Sequence, residues 1–142
     1  MKVSVRRIDG VTFEARNDAG AISMMEGPPD LGGKGSALRP METLLAALAG
    51  CSAVDVVKIL TQQKEPLESL EIDVEGTRAD AVPAVFTSIH VRFRIGGPVA
   101  ANKATRAVAL SVEKYCSVTK MLEQAVKITH EVVLNGVPET TR

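Results

Sequence analysis

Pro40-Met41-Glu42-Thr43-Leu44-Leu45-Ala46-Ala47-Leu48-Ala49-Gly50-Cys51-Ser52-Ala53-Val54-Asp55-Val56-Val57 is the stretch on which the fold turns. It predicts a helix over residues 40–63. Pro40 suits the first helical position, where its missing N–H is not needed. Glu42 in the first turn complements the positive end of the helix dipole. Between Met41 and Leu60 the clearly polar residues are Glu42, Thr43, Ser52, Asp55 and Lys58. Apolar surface therefore runs nearly all round, and a helix like that is buried on most faces. A chain of 142 residues struggles to bury one so completely, which points to a dimer.

Working outward, residues 3–8 and 11–16 read as a β-hairpin about Asp9-Gly10, a dipeptide that accepts positive φ. Residues 21–25 make a third strand. Residues 27–39 hold four glycines and two prolines and read as a flexible linker. Gly32-Gly33-Lys34-Gly35-Ser36 lacks the Ser or Thr that follows the Lys of a phosphate loop. Past the helix, residues 67–78 and 85–95 alternate apolar and polar side chains and form an antiparallel pair. Phe86 falls on the polar face of that alternation. Helical spacing follows over 102–115 and again over 117–124, with Val118, Met121 and Leu122 facing inward. Residues 126–134 are the last strand. The order βββ-α-ββ-αα-β is an α+β domain, and the length fits one domain over 1–142.

Composition removes several functions. Lys plus Arg is 17 and Asp plus Glu is 17, so no basic footprint for nucleic acid exists. Phe13, Phe86, Phe93 and Tyr115 are the whole aromatic complement, too few for base stacking. The longest strongly apolar stretch free of charge spans residues 43–54, short of a membrane crossing. The first residues, Met1-Lys2-Val3-Ser4-Val5-Arg6-Arg7, hold no apolar signal core, so a cytoplasmic location is expected.

Two cysteines remain as chemistry. Cys51 follows Gly50 inside the apolar helix. It reads either as a small packed hydrophobe or as a thiol beside a close-packed neighbour, for which Gly50 makes room. Cys116 lies where one helix ends and another begins. The start of the second helix, with Lys114 and Lys120, favours a thiolate; simple packing is the other reading. Asp55 at i+4 and Lys58 at i+7 share the face of Cys51. They either tune the thiol or pair with each other. His90 and His130 fall on strands, and no Cys-x-x-Cys or His-x-x-x-His spacing supports zinc. Two thiols within reach can turn a sulfenic acid into a disulfide.

The helix quoted above resembles the Cys helix of the osmotically inducible protein C (OsmC) and organic hydroperoxide resistance superfamily. Glu113-Lys114-Tyr115-Cys116-Ser117-Val118 resembles that family's second Cys segment. With the element order, the likeness covers nearly the whole chain and is closest to a less characterised bacterial branch. It implies an intertwined homodimer whose core helices are wrapped by antiparallel sheets. It implies a thiol-dependent peroxidase for organic hydroperoxides that needs no metal, haem or flavin. By position Cys51 matches the attacking thiol and Cys116 the resolving one, with electrons from a dithiol such as a lipoyl protein. Arg39, beside the Cys helix, is preferred over Arg7 and Arg16 as the family's thiolate-supporting arginine. Met41 stands where peroxidatic members place a catalytic Glu; Glu42, one step later and about 100° round the helix, is the candidate for that acid. Met41, Leu44, Leu48 and Asp55 are the expected substrate contacts. The alternative implied is a non-catalytic dimer binding a small apolar molecule near Cys51.

Overall fold

The computed structural model describes residues 1–139. Among them the order is β1 (Val3–Asp9), β2 (Thr12–Asn17), β3 (Ile22–Glu26), α1 (Pro40–Gln62), β4 (Ser69–Arg78), β5 (Phe86–Gly96), α2 (Ala101–Leu110), a π-helical turn (Ser111–Tyr115), α3 (Ser117–Leu122), β6 (Lys127–Leu134) and β7 (Val137–Glu139). This is the expected α+β order with one more strand, β7, after Asn135-Gly136. The chain divides into two compact units, Met1–Leu44 and the residues from Leu45 on, each with its own sheet.

In the first unit β1, β2 and β3 form an antiparallel meander. The hairpin turn sits one residue later than expected. Asp9 pairs with Thr12, so Gly10 and Val11 make the turn, and Gly10 takes φ +48°. A register shift between Arg7 and Asp9 accounts for the offset. Val3, Val5, Ile8, Ile22 and Met24 are exposed.

The supposed flexible linker is instead a folded loop. A short 3-10 turn, Pro29–Leu31, opens it, and Gly33 N–H bonds back to Pro28 O at 3.0 Å. A Cβ on Gly33 would lie 2.0 Å from Gly27 O, so only glycine fits. The cause is Glu26, 1 % exposed at the end of β3. Its carboxylate accepts Lys34 N–H at 2.8 Å and Ser36 N–H at 2.9 Å, with Thr12 Oγ1 at 3.3 Å. These hydrogen bonds answer the cost of burying the carboxylate and draw the loop around it.

The second unit carries the sheet β4-β5-β6-β7. It is not wholly antiparallel as expected: β5 and β6 run parallel. The helices between them supply the crossover that a parallel pair requires. On β5, Ile89, Val91, Phe93 and Ile95 are buried between exposed Thr87, Arg92 and Arg94. Phe86 is buried too, against the simple alternation. Thr77 pairs with Ser88 and Arg78 with Phe86, so β5 holds an extra residue there. That bulge returns Phe86 to the buried face. Its ring fills the space over Gly76, where a Cβ would meet Phe86 Cε1 at 2.4 Å.

Helix α1 buries Leu48, Ser52, Val56 and Leu60, a stripe at four-residue spacing. Val54 is 69 % exposed and Val57 43 %, so within one chain the helix is not covered on most faces. Its 23 residues, with mean hydropathy 1.8 over the best 18-residue window, meet the length and composition of a membrane crossing, unlike the charge-free stretch read from sequence. Core helices of globular proteins meet the same measure, and the buried stripe marks α1 as one.

Candidate functional site

Cys116 is placed by an irregularity. Instead of one helix over 102–115, α2 ends at Leu110 and a π-helical turn takes over, closed by Cys116 N–H to Ser111 O at 2.8 Å. Such wider turns recur at functional sites. Here it delivers Cys116 to the N-cap of α3, where Sγ accepts Thr119 N–H at 3.4 Å. Across from it, Ser52 on the buried stripe of α1 donates its hydroxyl to Cys116 Sγ at 3.4 Å. Thr119 is the buried residue of α3, 2 % exposed; Val118 and Leu122, read as inward, are half-buried, but Met121 is 77 % exposed, against the sequence reading.

Cys51 precedes Ser52 and is partly exposed, while Cys116 is wholly buried; both are free thiols. Their sulfurs and a carboxylate oxygen of Asp55 all lie within 4.8 Å of one another. Asp55 Oδ2 accepts a long hydrogen bond from Ser111 Oγ at 3.5 Å, and the same hydroxyl lies 3.2 Å from Ser52 O. So α1, the π turn and α3 meet through polar atoms around two sulfurs.

The environment treats the thiols differently. Burial pushes the Cys51 thiol up; the Val118 and Ser117 N–H groups oppose this, the Cys116 sulfur adds to it, and the net shift is upward. Burial also works against the Cys116 thiolate. Hydrogen bonds from Ser52 and the Thr119 N–H, with the Thr119 hydroxyl and the Cys51 thiol beside them, outweigh it, and the net shift is downward. The lysines expected to favour the thiolate are occupied elsewhere. Lys120 Nζ pairs with Glu123 at 2.9 Å, and Lys114 Nζ sits 5.4 Å from the Tyr115 ring centroid. Gly50 faces open space in this chain, so no close neighbour explains it.

The other candidates divide between the two units. Arg39 and Glu42 belong to the first unit, where Glu42 Oε2 accepts Arg39 N–H at 2.8 Å, half of a capping box for α1. Both line a cleft of about 530 Å³ with Glu26 and Ser36. Met41 and Leu44 are half-buried in that unit, and Leu48 is buried core in the second. Asp55 and Lys58 form no ion pair among the described residues; they line a cleft of about 350 Å³ with Arg106 and Tyr115. His90 Nδ1 pairs with Thr129 Oγ1 at 2.8 Å, and burial pushes the His130 imidazole down. Sequence reading missed Ser52, Ser111, Thr119 and Glu26. Ser52 alone left a signal, a polar residue in register with Leu48, Val56 and Leu60.

Fold and site together define an α+β protein with a thiol pair at the junction of its helices. Residues 33–131 match the family described as OsmC-like protein. The chain is 40% identical over 131 residues to Protein YhfA of Escherichia coli K12, covering 92% of this chain and 95% of YhfA. A hypothetical protein from Aquifex aeolicus VF5 superposes with TM-score 0.79 at 29% identity, over 94% of this chain and 96% of its own. An organic hydroperoxide resistance protein OsmC from Legionella pneumophila has the same fold, with TM-score 0.69 at 21% identity over 93% and 96%. The chain belongs to the OsmC-like family.

Proposed function

We propose that the protein is a thiol-dependent peroxidase that reduces organic hydroperoxides through Cys51 and Cys116. The observation that carries this reading is the pair of free sulfurs within 4.8 Å, one partly exposed and one held as a favoured thiolate. The name of the Legionella relative is consistent with it.

In the anionic form of the pair, two sulfurs share one proton. When that proton sits on Cys116, Cys51 is a thiolate at the open side, supported by the Ser117 and Val118 N–H groups. Its sulfur attacks the outer peroxide oxygen, the O–O bond breaks, and an alkoxide leaves. Cys116 gives the alkoxide its proton, releasing an alcohol. The Cys116 thiolate then attacks the Cys51 sulfenic acid, forming the disulfide and expelling hydroxide. An external dithiol, such as a lipoyl protein, returns the pair to thiols. The resemblance assigns Arg39 to the attacking Cys51 thiolate; Ser52 and Thr119 support the Cys116 thiolate in the resolving step.

We read the chain as one domain in a cytoplasmic homodimer; the uncovered Val54 and Val57 on α1 support the homodimer. The test is consumption of cumene hydroperoxide with a dithiol. The parent turns over, Cys51→Ser loses turnover, and Cys116→Ser stops at a sulfenic acid that dimedone traps. Equal consumption by parent and Cys51→Ser rejects the mechanism. The second reading, a non-catalytic binder of a small apolar molecule, is favoured by the raised Cys51 thiol. It predicts no turnover by the parent.

A further inference from the structure

Cys51, Asp55 and Cys116 offer two sulfurs and one carboxylate oxygen to a common centre. In sequence no metal spacing exists. In space, Cys51 and Asp55 lie one turn apart on one face of α1, and Cys116 reaches the same point from 65 residues further on. Thiolate and carboxylate are both ligands of zinc, with bonds of about 2.3 and 2.0–2.2 Å in a tetrahedron. Ligand atoms around such an ion stand roughly 3.5–3.8 Å apart. The three present here are all within 4.8 Å, so modest side-chain rotations close the set.

The surroundings have the features such a site uses. Ser111 Oγ holds Asp55, and Ser52 Oγ holds Cys116, as outer partners hold metal ligands in place. Thr119 Oγ1 is buried at the Cys116 sulfur and has no partner of full hydrogen-bond geometry among the described residues. It is free to accept from a metal-bound water. Asp55 also lines an open cleft with Lys58 and Tyr115, so the carboxylate side of the cluster faces solvent-filled space.

We infer that the reduced protein binds one soft, tetrahedral divalent cation of the zinc class through Cys51 Sγ, Cys116 Sγ and an Asp55 carboxylate oxygen, with water as fourth ligand. Two thiol protons leave as the two sulfur–metal bonds form. The disulfide has no thiolates to offer, so oxidation and metal binding exclude one another. The site shares its sulfurs with the proposed peroxide reaction but does not require turnover.

The experiment titrates the reduced, chelator-treated full chain with Zn²⁺ against a chromophoric chelator, and with Co²⁺ for its sulfur-to-cobalt absorption. One equivalent per chain is expected. Asp55→Asn weakens binding about tenfold or more. Cys51→Ser and Cys116→Ser each reduce the sulfur absorption, and protein oxidised with diamide binds none. Circular dichroism checks that each variant is folded, and the Co²⁺ spectrum of the parent stands without any variant. Absence of sulfur-to-cobalt absorption in the parent overturns the inference. So does Zn²⁺ affinity within twofold of the parent in Asp55→Asn or in the double serine variant. Peroxide consumption measured in excess chelator separates the two readings. Turnover without zinc binding removes only this site; zinc binding without turnover removes only the peroxidase.

Discussion

The Ser52 hydroxyl donates to the Cys116 sulfur across 3.4 Å, joining residues 64 apart in the chain. Both are buried, and Ser52 is the one polar member of the stripe Leu48, Ser52, Val56 and Leu60. A hydroxyl buried in an apolar stripe needs a partner, and this one finds the Cys116 sulfur. The same bond that seats α1 therefore sets the chemistry of Cys116.

Ser52→Ala removes that donor and leaves the helix intact. In a Cys51→Ser background, the thiolate-to-thiol ratio of Cys116 at fixed pH falls about tenfold or more, the scale for losing one hydrogen bond to a charged acceptor. A titration followed by thiolate ultraviolet absorbance measures it. An unchanged titration would show that the Thr119 groups alone hold the thiolate.

How far the sequence reaches is clear at these residues. Alternation, turn signals and helical period located the three α-helices and every strand except β7, because they depend on near neighbours along the chain. Parallel pairing of β5 with β6 depends on which strands meet after folding, and three residues of β7 carry no period. Cys51 and Cys116 stood out by type. Their proton balance is set by Ser52, Thr119 and burial, which only tertiary structure brings together. Glu26 was invisible for a related reason. One acidic residue after Met24-Met25 reads as a strand end, and its backbone partners lie eight and ten residues on.

Glu26→Gln keeps the size and puts an amide where backbone N–H groups point at a carboxylate. The loop over residues 27–39 loses its centre and becomes open to protease. The melting temperature falls by about 5 °C, the scale for losing a buried polar cluster in a chain this long. Limited proteolysis that cuts parent and variant equally within 27–39 would sink this account.

Acid acts on the same point. Backbone hydrogen bonds from Lys34 and Ser36 hold the Glu26 carboxyl below its ordinary value of 4.5. A depressed folded value means that this stability is fully present above the unfolded-chain value. It is lost as pH falls through the lower, folded value. Hydrogen-exchange protection at Lys34 and Ser36, relative to an unstructured amide at the same pH, therefore holds at pH 5 and falls only below about 4.5. Loss of protection already between pH 6 and 5 would contradict it.

Gly76→Ala tests the bulge that buries Phe86. A Cβ at Gly76 meets ring carbons at 2.4 and 2.7 Å, and the ring is packed in the core. Overpacking of this kind costs about 1–3 kcal/mol, measured by urea unfolding. Adding Phe86→Leu to Gly76→Ala removes the clash, so the double variant loses less than the sum of the two single changes.

Association rests on the open side of α1. Val54 and Val57 are 69 % and 43 % exposed on a helix whose opposite stripe is buried. Val3, Val5 and Ile22 add exposed apolar surface on the first sheet. A second copy of the chain is the proposed cover for α1. Val54→Lys then places a charge in that contact while leaving the chain's own core untouched. Dimer dissociation, followed by sedimentation equilibrium, becomes at least about tenfold easier, because an unpaired charge resists burial. Far-ultraviolet circular dichroism stays as in the parent. A parent that sediments as a monomer, or a Val54→Lys dimer as tight as the parent's, would show that this face meets something other than its own copy.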